Sequence, residues 1–99
     1  MASTIVLCFI AGVLGANGTP HFVEGITKEE FPTTFSPAPL ANLIGGWLMY
    51  LVTAPLLVWA HVGHHPLAAV IAVALGVLPM GVFHAYIGAF GKKPTHSNN

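Results

Sequence analysis

The sequence predicts an all-α integral membrane protein with three transmembrane helices, the last two forming an antiparallel hairpin. Three observations carry this. Only 6% of the 99 residues are charged, where soluble domains average about 25%. Hydrophobic residues make up 55% of the chain, and the mean hydropathy is +0.76. The apolar residues also fall into three long stretches separated by two polar breaks. A surface so poor in charge suits neither a cytosolic enzyme, nor a nucleic-acid binder, nor a disordered tail, because each needs charge to hold water or phosphate. Residues 1–99 therefore read as a single membrane domain whose first partner is the lipid bilayer.

Helix one is expected at about residues 2–20. Its strongly apolar part, residues 5–14, is short, but no Lys or Arg precedes it and the region around Ala16 is a poor small-x-small cleavage site, so a retained helix is expected in place of a signal peptide. A polar connection at residues 21–39 follows, with four of the six charges and several prolines. In it, Thr27-Lys28-Glu29-Glu30 has capping-box spacing, with Thr27 as N-cap, but Pro32 allows barely one turn. Residues 33–39 read as an extended, proline-stiffened strap on the membrane surface. Helix two is expected at about 40–60 and helix three at about 67–90; neither contains Lys, Arg, Asp or Glu, and both can cross a core about 30 Å thick at about 1.5 Å per residue. The turn between them, residues 60–66, is short enough to force an antiparallel pair, with Pro66 suited to the first turn of helix three. Gly91 stops that helix and a polar tail, 91–99, completes the chain.

Three spans put the first connection and the C-terminus on one side. That side then holds all three lysines, Lys28, Lys92 and Lys93, and the positive-inside rule assigns it to the cytoplasm. Trp47, Trp59 and Tyr86 fall near helix ends, as interfacial anchors do.

Six histidines are the groups best able to ligate a metal or haem. His61, His64 and His65 form an H-x-x-H-H cluster at the outer turn and are candidate metal ligands, although no Cys, Asp or Glu on that side completes a shell. His21, His84 and His96 belong to the opposite side. His84 lies about 10 Å of helix from Gly91 and so within the apolar layer, where an ionisable group needs a reason. Gly81 and Gly88 flank it on one face, bare enough for a flat macrocycle or another helix. His84, with or without His21 as second axial ligand, is thus the candidate site for haem or a chlorophyll-type pigment. The competing reading has His84 bonded inside the bundle, to Asn42, Tyr50 or a freed carbonyl.

Small residues recur at four-residue spacing: Ala41 and Gly45 in helix two, and Ala68, Ala72 and Gly76 in helix three. Such faces let backbones approach closely in lipid, where association rests on dispersion and fit. Asn42, Gly46 and Tyr50 form a second spaced row whose polar members need partners inside the chain or on another subunit. Pro55 and Pro79 interrupt the second and third spans. Cys8 is the single cysteine, so no disulfide framework can be drawn. All three glutamates, Glu24, Glu29 and Glu30, lie in the connection, and no catalytic triad or carboxylate pair can be proposed.

The stretch Asn17-Gly18-Thr19-Pro20-His21-Phe22-Val23-Glu24-Gly25-Ile26, then Phe31-Pro32-Thr33, resembles an uncharacterised family of small bacterial membrane proteins with an N-terminal P-H-F-V-x-G-I motif. The resemblance covers roughly the first half of the chain. It departs where Glu24 follows P-H-F-V, a position that is usually basic, and at Asn42-Leu43-Ile44-Gly45-Gly46, where glycine replaces a tryptophan of the family. It implies a bacterial cytoplasmic-membrane setting and a shared structural element at Pro20, His21, Phe22, Gly25 and Ile26, with Pro20 and Gly25 bracketing a turn. No chemistry comes with it.

These observations favour a non-catalytic membrane subunit that packs against other membrane proteins and stabilises or helps assemble their complex. The rival is a haem- or pigment-binding subunit of an electron-transfer or light-harvesting complex. A small homo-oligomeric transporter or channel is third, since no charged residue lines any span.

Overall fold

A computed structural model describes residues 1–33 and 35–86. Its helices are α1 (Ala2–Ile26), α2 (Pro39–Trp59) and α3 (Pro66–Tyr86), with a short 3-10 turn at Val62–His64 before α3 and no strand among the described residues. All three are long and apolar enough to cross a membrane, so the chain is a multi-pass membrane protein. Large apolar side chains, among them Phe9, Leu48, Leu51, Leu75 and Leu78, point outward, where acyl chains cover them.

α1 runs past its expected end. Pro20 lies inside the helix, and the expected turn at Pro20 to Ile26 is a further stretch of helix. In lipid, unturned helix is the form that satisfies its own backbone. Thr19 Oγ1 donates to the Gly15 carbonyl at 2.7 Å, which commits its proton, so the 2.9 Å contact with Tyr50 has the tyrosine hydroxyl donating. The helix ends where Thr27 Oγ1 donates to the carbonyls of Val23 (2.8 Å) and Glu24 (3.2 Å) and Lys28 turns left-handed at φ 62°. Thr27 therefore closes α1 as its C-cap, and the capping-box reading of Thr27 to Glu30 is corrected.

The connection is a closed loop in place of an extended strap. Phe31 N–H donates to Pro37 O at 3.1 Å, while Thr33 Oγ1 accepts from the amides of Phe35 and Ser36 and donates to Ser36 O. Phe31 is folded inward and buried. Ala38 is extended and Pro39 opens α2 at its first position, where its fixed φ fits and no amide is missed.

α1 is the central helix. Gly25 lies against Leu43 and Gly18 against Gly46 and Met49, and Thr4 reaches Ala60 at the far end, so α2 runs antiparallel to α1. Gly12 meets Val73 and His21 meets His84, so α3 runs parallel to it. α2 and α3 are thus oppositely directed and joined by a short turn, as expected of a hairpin, yet both pack along α1 and their backbones scarcely approach one another. At 3.6 residues per turn, the α2-facing residues Gly18 and Gly25 and the α3-facing residues Phe9 and Val13 sit on roughly opposite sides of α1. The bundle is a flat row, α2–α1–α3.

The glycines explain the close approach. A methyl group added at Gly46 would lie 2.7 Å from both the Gly18 carbonyl oxygen and the Phe22 nitrogen, and one at Gly25 would lie 2.5 Å from the Leu43 nitrogen. At Gly12 and Gly76 it would collide with the carbonyls of Val73 and Phe9. Gly46, Gly76 and the buried Ala72 thus pack as expected; Ala68 is only half-buried beside the buried Ala69. A methyl group added at Gly45 or Gly81 would meet no atom within 4 Å, so no neighbouring element packs closely against either. Gly88, Lys92, Lys93, His96 and the expected end of helix three lie outside the described residues.

Candidate functional site

Two polar centres tie α1 to α2, one at each end of the row. At the turn end, Thr4 Oγ1 donates to the Ala60 carbonyl at 2.6 Å, satisfying one of the carbonyls orphaned where α2 stops. Around it lies a small-residue core of Cys8, Ala60, Ala69 and Ala72.

At the other end the centre is Asn42, with no exposed surface. Its Nδ2 donates to the carbonyls of Phe31 (2.7 Å), Pro37 (3.1 Å) and Ala38 (3.1 Å), which pins the loop to the start of α2. Oδ1 is then the atom facing His21, 2.6 Å from its Nδ1. An amide oxygen only accepts, so His21 Nδ1 carries hydrogen and donates. In the neutral ring the lone pair is on Nε2.

His84, half-buried on α3, is fixed in the same sense. Its Nδ1 lies 2.9 Å from the Met80 carbonyl oxygen one turn earlier, and a carbonyl again requires Nδ1–H. The bond expected for His84 inside the bundle is thus to a backbone carbonyl, while Asn42 serves His21. The two imidazole centroids are 6.5 Å apart with planes at 86°. Phe31 lies edge-on to His21 at 4.9 Å and stacks on His84 at 6.3 Å.

His21 and His84 line one cavity of about 450 Å³ with Asn17, Met49, Phe83 and Gly45. Asn17 Nδ2 donates to Met49 Sδ at 3.3 Å. The cavity occupies one face of the row, between α2 and α3 with α1 as its floor. A second, more apolar groove of about 350 Å³, lined by Gly15, Tyr50, Thr53 and Val77 among others, runs along the opposite face.

The remaining expectations divide. Asn42, Gly46 and Tyr50 all find their partners inside the chain: His21 and the loop, the α1 backbone, and Thr19 with Phe22, whose ring is 5.6 Å from Tyr50. At His61, His64 and His65, the expected metal ligands, no group of three or more His, Cys, Asp or Glu is brought together among the described residues. His61 and His64 stack in parallel at 5.5 Å, a side-by-side arrangement set by the left-handed backbone of His61 at φ 53°. The sequence reading missed the α1 glycines at both contacts, Gly18 and Gly25 against α2 and Gly12 against α3, and the role of Asn42 as anchor. The first had a signal in the spacing of glycines through residues 12–25; the second had none, because its acceptors are loop carbonyls.

No known family model matches the chain, and neither a curated protein nor a solved structure is similar to it.

Proposed function

We propose that the protein is a non-catalytic membrane subunit that packs against a larger membrane protein and stabilises or helps assemble its complex. The orientation proposed has Lys28 and the C-terminus on the cytoplasmic side, from the distribution of lysines, and the bacterial cytoplasmic membrane is the setting that the motif resemblance implies. The observation that carries the reading is the flat row. With α1 already flanked on both sides, α2 and α3 each keep a broad face, and a methyl group added at Gly81 on α3, or at Gly45 where α2 lines the cavity, would touch nothing of this chain. Bare glycine on a lipid-facing helix forfeits dispersion contacts that a second helix would supply by close approach.

Purification from native membrane in mild detergent should recover a partner at fixed stoichiometry. Gly81→Leu, at a position where an added Cβ meets nothing of the chain, should strip that partner while the isolated protein stays folded. A lone monomer, or a homo-oligomer that moves solute across vesicles, overturns the proposal.

A further inference from the structure

We infer that His21 and His84 form an intramembrane site for a soft monovalent metal ion of the copper(I) type, with Met49 as a third, weaker ligand. The inference does not rest on the subunit reading above.

The argument begins with hydrogen placement. Histidines that bind metal through Nε2 almost always donate Nδ1–H to a carbonyl, carboxylate or water, which fixes the tautomer and the ring's aim. Both rings have that second partner: Asn42 Oδ1 for His21 at 2.6 Å and Met80 O for His84 at 2.9 Å. The Asn42 amide is itself held by three loop carbonyls, so the support extends outward from the ring.

Neither Nε2 atom is hydrogen-bonded among the described residues, where the bonds of both rings run through Nδ1. Every buried side-chain nitrogen or oxygen among the described residues has a hydrogen-bond partner. His21 is only 8% exposed, and no bond to its Nε2 is present, so Nε2 is where the ring meets accessible space. That space is the cavity that His84 also lines. An ion held about 2 Å from each Nε2 in a linear complex would set the ring centroids roughly 6 Å apart. The observed separation is 6.5 Å, close to that span.

The donor set selects the ion. Two neutral imidazoles and the thioether of Met49 bring no negative charge, and no third His, Cys, Asp or Glu joins them among the described residues. Desolvation grows with the square of the charge, so an uncompensated divalent ion in this apolar layer is strongly disfavoured relative to a monovalent one. Thioether and imidazole ligands also favour copper(I) over hard cations. A flat macrocycle placed between the rings would meet Phe31, which lies against both.

The test is anaerobic titration of the purified full chain in detergent with copper(I), in competition with the chromogenic chelator bicinchoninate. One equivalent per chain is expected, with two nitrogens near 2 Å and a weaker, more distant sulfur in X-ray absorption. His84→Ala should weaken binding about 100-fold or more, and Asn42→Leu about 10–100-fold through loss of ring support. Met49→Leu should remove the sulfur signal and leave the two nitrogens. Replacing His61, His64, His65 and His96 together by alanine should change nothing. Because His21 is buried, His84→Ala decides the matter if His21→Ala does not fold. Unchanged binding in His84→Ala, loss of binding in the fourfold variant, equal competition by zinc(II), or a Soret band in the purified protein each overturns the inference.

Discussion

The two ends of the row hold histidines in opposite ways. At the turn, His61 and His64 stack on one another at 5.5 Å, exposed and placed by a left-handed residue. At the other end, His21 and His84 come from different helices, each with Nδ1 committed to an acceptor, and both open on one cavity. The richer cluster by sequence is the poorer site by geometry. What converts imidazoles into a site is the second hydrogen bond that fixes each ring, and at this end the packing of α1 against α2 supplies it for His21.

The comparison extends to stability, since each end ties α1 to α2 through one buried polar side chain, and the glycine contacts between them hold the row. The largest effect should come from those contacts. Gly76→Val or Gly12→Val forces a side chain into the backbone carbonyl of the facing helix and should cost about 3 kcal/mol or more, read as loss of unfolding free energy in mixed micelles. Next is Asn42→Leu, which removes the three side-chain bonds to loop carbonyls and leaves the buried His21 Nδ1 without its acceptor. About 2 kcal/mol is expected, with faster amide exchange at Phe31 and Ser36 but not near Ala60. An effect spread evenly over both ends would break the picture of two separate ties.

Thr4→Val keeps shape and removes a single bond at the turn end, so about 1 kcal/mol is expected in the same micelle assay. Smallest is His61→Ala with His64→Ala, which should shift stability by less than about 0.5 kcal/mol, as exposed substitutions do. A loss as large as that of Asn42→Leu would show the stacked pair to be structural and erase the contrast between the ends.

How much of this was legible beforehand depends on the range of the interaction. Pro39 and Pro66 opening their helices could be read locally, because φ and the missing donor act at the residue itself. Gly46 and Gly76 could be read from spacing. Gly45 and Gly81 satisfy the same small-residue logic, yet no helix packs closely on either, because spacing identifies a bare face without stating which helix turns toward it. The turn expected at Pro20 failed for a related reason: the rule that proline ends a helix was formed in water, and in lipid an opened turn costs more than one missing hydrogen bond.

Composition and apolar length alone determined that the chain forms three helices in a bilayer, since a charge-poor surface is stable only against acyl chains and a spanning segment must satisfy its own backbone. Tertiary structure alone decided that α1 stands between the other two, that Asn42 closes the loop from Phe31 to Pro37, and that His21 and His84 share a cavity. Those outcomes depend on which faces meet across distant parts of the chain, and lipid tails, as apolar as the helices, exert no hydrophobic pressure that would reveal the choice in the pattern of residues.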